Sequence, residues 1–111
     1  MSELSQLASR RSEIASEING IESMRKGTLN SQYQQVKHKN GEVAIKGPYF
    51  VLTRKSAGGR TISTSIPSKD APRIQAEVDN YKRFRELSEE YVNVCEQISI
   101  LGGSEDEGKK N

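Results

Sequence analysis

The chain has one cysteine, one histidine and no tryptophan among its 111 residues. A lone Cys95 excludes an internal disulfide framework and fits a reducing compartment. His38 stands between Lys37 and Lys39, far from Cys95. No Cys-x-x-Cys or His-x-x-x-His spacing is therefore present to hold a metal. Hydrophobic residues make up only 32% and mean hydropathy is −0.77, too little for a thick globular core. Chains of this kind often gain stability by self-association. No apolar run approaches the ~18 residues of a membrane span, and no charged–apolar–small leader opens the chain. A cytoplasmic protein without membrane contact is expected. Gly58-Gly59 reads as a hairpin turn, not as a strand-to-helix phosphate cradle, and Glu89-Glu90 fall on the solvent side of a helix. No catalytic residue, cofactor or metal is expected, and an enzyme is not.

What is present is a matched pair of heptad seams. Leu4, Leu7, Arg11, Ile14, Ile18 and Ile21 step by 3, 4, 3, 4, 3, and so do Phe84, Leu87, Tyr91, Val94, Ile98 and Leu101. Each series presents one stripe on a slightly underwound helix. In full antiparallel register Leu4 meets Leu101, Ile21 meets Phe84, and Arg11 falls beside Val94. A base at a seam position costs stability but fixes register, and its stem can snorkel towards a carboxylate such as Glu90. The second helix starts earlier, with Ile74, Val78 and Tyr81. From Tyr81 to Phe84 the step is 3 where a heptad wants 4, so the phase slips. Residues 74–81 are expected to cover a sheet and residues 84–101 to pair with the first helix.

The first helix starts near Ser2 and ends either at Asn19-Gly20 or at Lys26-Gly27; a seam continuing through Ile21 and Met24 favours the longer form. Residues 27–41 are polar and read as a loop with one helical turn around Ser31–Gln35. Strand character begins at Glu42–Lys46, as a third strand at the edge, and resumes at Tyr49–Lys55. A glycine turn then leads into Arg60–Ile66, making a hairpin. Pro67 ends the sheet, Ser68 or Asp70 caps the second helix, and Pro72 sits in its first turn. The expected fold class is α+β: an antiparallel, coiled-coil-like helical pair flanking a small two- or three-stranded antiparallel sheet. Its segments are an N-terminal helix (1–26), a basic loop and β-hairpin (27–69), a long C-terminal helix (70–101) and a disordered tail (102–111).

The net charge of +2 is unevenly spread. Residues 27–69 hold seven bases and one acid, Glu42, for a local charge of +6. Such a segment suits a polyanion, although lysines and arginines also guard sheet edges. Lys46, Arg54, Lys55 and Arg60 are the candidate nucleic-acid-binding residues. Lys82-Arg83-x-Arg85 either extends that surface or forms pairs from Lys82 to Glu86 and Arg85 to Glu89.

Gly47-Pro48-Tyr49-Phe50, Arg54-Lys55, Gly58-Gly59-Arg60-Thr61, Ile66-Pro67 and Asn80-Tyr81-Lys82-Arg83-Phe84-Arg85-Glu86-Leu87 follow one another in an order that resembles a family of small uncharacterised bacterial proteins found with mobile elements and transposases. Arg25-Lys26-Gly27-Thr28-Leu29 with Gln32-Tyr33 is similar to that family too, and the likeness covers about residues 20–100. Family members often carry a cysteine cluster between the Gln-Tyr and Gly-Pro-Tyr elements; residues 34–46 here have none, so no metal role is implied. The Gly-Pro-Tyr strand, Gly-Gly turn and basic return strand also look like the arm-type DNA-binding domains of tyrosine integrases, an architectural analogy only. The expected function is that of a non-enzymatic DNA-binding or DNA-associated accessory protein, with double-stranded DNA as partner and a homodimer as assembly. The rival is a protein–protein adaptor that uses its helical seam and binds no nucleic acid.

Overall fold

Ser2 starts the first helix. Its backbone is extended (φ −74°, ψ 156°), and its hydroxyl oxygen accepts the Ser5 N–H at 3.0 Å. That contact satisfies one of the donors a helix start leaves free. Helix α1 (Glu3–Asn19) places Glu3 in its first turn, where a carboxylate meets the positive end of the helix dipole. The helix stops at Asn19 and does not run to Lys26. Gly20 has a right-handed φ of −77°, so the stop is not a left-handed cap.

The chain beyond Gly20 has other partners. The Arg25 N–H donates to the Glu77 carbonyl at 3.0 Å, and the Ser23 carbonyl accepts from Asn80 Nδ2 at 3.0 Å. Ser23 Oγ and Arg25 Nε donate to the Glu77 carboxylate at 3.1 and 3.2 Å. A helical path through residues 21–26 would forfeit these bonds, and Gly20 already weakens a helix by about 1 kcal/mol relative to Ala.

The computed structural model describes residues 2–103. Gly102 closes the last helix, so the first residue of the expected tail is helical, and residues 104–111 lie outside those described.

Three antiparallel strands follow: β1 (Thr28–Lys37), β2 (Val43–Lys55) and β3 (Thr61–Ile66), in the order β1-β2-β3. Two expectations are corrected here. Residues 28–37 form a ten-residue strand, not a loop with a helical turn. Residues 43–46 belong to the central strand, and the added edge strand is β1. The reason is backbone pairing. Once the chain reverses at Asn40-Gly41, Lys37 pairs with Val43, and the ladder satisfies donors that a polar loop would leave to water.

The two hairpin turns share one bonding pattern. The His38 N–H reaches the Glu42 carbonyl at 2.8 Å and the Gly41 N–H reaches the His38 carbonyl at 2.9 Å; Ser56, Arg60 and Gly59 repeat this at 2.7 and 2.9 Å. Gly41 (φ +89°) and Gly59 (φ +82°) supply the left-handed residue that a three-residue hairpin loop needs.

After a 3₁₀ turn (Ser68–Asp70), with no side-chain cap at Pro67, helix α2 runs from Ala71 to Gly102 with Pro72 in its first turn. The chain divides into two compact units, residues 23–81 and residues 1–22 with 82–111. The division falls between Tyr81 and Lys82, where the heptad phase slips. In the sheet unit, Leu52, Ile66, Ile74 and Val78 are buried together, with Leu29 and Phe50 against them. In the helical unit, Ile14, Leu87 and Val94 form the buried centre, with Leu7, Ile18, Ile21, Tyr91 and Ile98 around it.

Polar pairs in the helical unit run in opposite order along the two helices: Arg10 meets Glu90, and Glu17 meets Arg83. Relative to full-length register this is a displacement of roughly one helical turn. Leu101 then lies past the start of α1, and it is 39% exposed. Arg11 is exposed, and Arg10 is the base that reaches Glu90. The expected Lys82–Glu86 and Arg85–Glu89 bridges are not formed; Arg83 pairs with Glu17 across the helices instead.

Arg10 Nε and Nη2 grip both oxygens of Glu90 at 2.6 and 2.7 Å. This two-pronged bond holds the Glu90 carboxyl below its ordinary value of 4.5 and raises the guanidinium. A lowered folded-state carboxyl contributes stability that is complete above its unfolded pKa and is lost as pH falls through the folded value. Arg10→Ala should therefore lower the unfolding midpoint at pH 7 and narrow its gap from the wild type as pH falls below that range. Thermal melts from pH 7 to pH 2.5 test this; an unchanged gap at every pH would show that Arg10 acts by packing alone.

Candidate nucleic-acid interface

Strand alternation and register place each of the four candidate bases. Phe50, Leu52 and Arg54 share the face of β2 that Ile74 and Val78 cover, with Leu29 across on β1 and Ile62, Thr64 and Ile66 across on β3. Lys55 is on the opposite face, where Tyr49 and Val51 of β2 are flanked by polar residues: Thr28, Asn30 and Gln32 of β1, Thr53 of β2, and Thr61, Ser63 and Ser65 of β3. Arg60 follows the hairpin turn, where its N–H contacts Ser56 Oγ at 3.3 Å.

Lys46 is separate. It pairs with Gln34 on the far side of the irregularity at the cis Gly47-Pro48 bond, eight residues along β2 from Arg54. At about 3.3 Å per residue that is roughly 26 Å. The structure thus brings Arg54, Lys55 and Arg60 to one end of the sheet, sets Arg54 and Lys55 on opposite faces, and leaves Lys46 in a second patch.

Two further bases join Arg54. A shallow depression of about 340 Å³ is lined by Arg25, Lys26, Leu52, Arg54 and Thr64. Arg25 is tied to Glu77, and Lys26 Nζ stands 6.0 Å from the centroid of the Tyr81 ring. The close approach that builds this depression needs Gly27. Its φ is +126°, and a Cβ there would stand 2.5 Å from the Thr53 carbonyl oxygen. Sequence reasoning missed Arg25 and Lys26 because it ran the first helix through them. The Gly27-Thr28 step, next to a β-branched residue, was the available signal.

Net charge separates the two units. Residues 23–81 carry ten bases and four acids, a charge of +6, whereas the remainder of the chain is at −4. Among the described residues, Arg10, Arg25, Arg73 and Arg83 each pair with a carboxylate, while Lys37, Lys39, Lys46, Arg54, Lys55 and Arg60 form no salt bridge. On the helices Arg10, Arg73 and Arg83 are neutralised in place and Arg11 and Arg85 are not; among the described residues the strand and hairpin-turn cations have no carboxylate partner. Among the described residues, no cluster of three or more His, Cys, Asp or Glu side chains is placed to hold a metal, and no helix is long and apolar enough to cross a membrane. No family model, curated protein or solved structure matches the chain.

Proposed function

We propose that this chain is a non-enzymatic DNA-binding accessory protein whose sheet unit contacts duplex DNA. The observation that carries the reading is the set of unpaired cations on the sheet unit, beside an open sheet face of hydroxyl and amide side chains. Arg60 and either Arg54 or Lys55 contact phosphates at the hairpin end, and Lys26 stands beside Arg54. Serine, threonine, asparagine and glutamine on the open face are the further donors that position a protein on a phosphate backbone. In this reading the helical pair is scaffold. The resemblance to mobile-element proteins agrees with the proposal in kind.

The test is a comparison of two substitution sets in random-sequence duplex binding. Because Arg54 and Lys55 lie on opposite faces, one duplex contacts Arg60 and one of the two. Replacing all three with Ala should weaken binding and flatten the log–log salt dependence by about two units, at ~0.9 per phosphate contact. Replacing the unpaired helical bases Arg11 and Arg85 should change neither. The reverse pattern would place the DNA surface on the helices and refute the assignment to the sheet.

A further inference from the structure

The outer ends of β1 and β2 form a two-stranded ribbon, because β3 pairs only with Phe50–Lys55. Gln35 faces Ile45 and Lys37 faces Val43, so these four share one face of the ribbon, and Tyr33 joins them by alternation along β1. That face is apolar and bare: Tyr33 is 64% exposed, Val43 58% and Ile45 68%. Lys37 lies on this face and Lys39 follows it in the turn, neither with a carboxylate partner among the described residues; Lys46, paired with Gln34, is on the other face. The nearby acid, Glu42, accepts a bond from Asn40 Nδ2 at 3.0 Å.

Helix α2 carries the complement. Its seam residues Leu87 and Val94 are consumed by α1, yet Val92 and Ile100 on another side of the helix are exposed. Glu89 and Glu96 lie with them, at the i, i+3 and i+4 spacings that define one helix face. Shallow depressions flank this stripe, one against Val92 and Glu89, the other against Ile100 and Glu96. Neither glutamate forms a salt bridge among the described residues.

We propose that the ribbon face Tyr33–Val43–Ile45 of one copy docks on the Val92–Ile100 stripe of α2 in a second copy, with the ribbon lysines set against Glu89 and Glu96. Each surface offers what the other lacks: unpaired cations around one apolar patch, unpaired carboxylates beside the other. Ribbon against ribbon would set lysine against lysine, and stripe against stripe would set glutamate against glutamate. Opposite-sign matching therefore selects the heterologous contact. Each copy carries both surfaces, so the contact is between copies of this chain. The proposal does not depend on DNA binding, since it uses neither Arg54 nor Arg60.

The experiment is sedimentation equilibrium of the full chain at low salt, with charge reversal on each surface. Lys37→Glu with Lys39→Glu, or Glu89→Lys with Glu96→Lys, should each raise the self-association constant Kd by about tenfold or more, as expected for like-charge juxtaposition. All four reversals in one chain should bring Kd back to within about threefold of wild type, because the pairing is restored with its signs exchanged. Circular dichroism of each variant checks that the fold is kept. A four-substitution chain that stays dissociated while folded overturns the proposal, and so does a wild type that is monomeric at millimolar concentration. If the ribbon reversal leaves association intact but abolishes duplex binding, the ribbon belongs to DNA and the proposal falls.

Discussion

Gly27→Ala should cost several kcal/mol and leave the sheet unit largely unfolded at 37 °C. Gly27 sits at φ +126°, a region that L side chains rarely occupy, at a cost of order 1–3 kcal/mol. Its added Cβ would stand 2.5 Å from the Thr53 carbonyl oxygen and 3.2 and 3.3 Å from Leu52 and Arg54 atoms. The first of these is backbone of the central strand and cannot swing aside. Overpacking of this kind adds about 1–3 kcal/mol. The two terms together approach the whole stability of a small domain. Chemical denaturation of the variant is the check. Gly58→Ala is the control: a Cβ there meets nothing within 4 Å, so that variant should melt close to wild type.

Ile14→Ala should be comparably damaging in the helical unit. Ile14 is fully buried and is the only buried residue of α1, where it packs with Leu87 and Val94. Truncating a buried isoleucine to alanine costs about 2–5 kcal/mol, the larger values where the surroundings cannot collapse into the space. Leu7 and Ile18 pack around this residue but are only half-buried, so Ile14 is the centre of the contact that α1 makes. Ile14→Val should cost only about 0.5–1.5 kcal/mol. Equal losses for the two variants in urea unfolding would show that shape, not buried volume, governs this site.

The helices were legible in the sequence because their apolar spacing is regular. Ser2 and Pro72 mark their starts, and the phase slip between Tyr81 and Phe84 marks where α2 leaves one core for the other. The first seam overran α1, which stops at Asn19 although apolar spacing continues to Ile21 and Met24. The seam's polar member was misassigned by one residue. Arg10 and Arg11 are adjacent, and heptad counting cannot tell which of two long side chains turns inward. Only the displaced register, with Glu90 within reach of Arg10, decides it. Strand β1 was missed for a different reason. Its outer half lies in a two-stranded ribbon with both faces open to water, so burial imposes no alternation of polar and apolar residues there. Asn40-Gly41 ahead of Val43–Lys46 was the hairpin signal. The candidate bases were legible as a charge excess, but their distribution over two faces and two patches depends on a register that begins with β1.

The most direct test of the DNA reading is the salt dependence of the unmodified protein. Fluorescence anisotropy with a labelled random-sequence duplex, from 25 to 300 mM salt, yields log K against log salt. Two phosphate contacts, from Arg60 and one of Arg54 and Lys55, at ~0.9 each predict a straight line of slope about −2. Absence of binding at the lowest salt, or an affinity indifferent to salt, would contradict the account and leave the helical surface as the functional one.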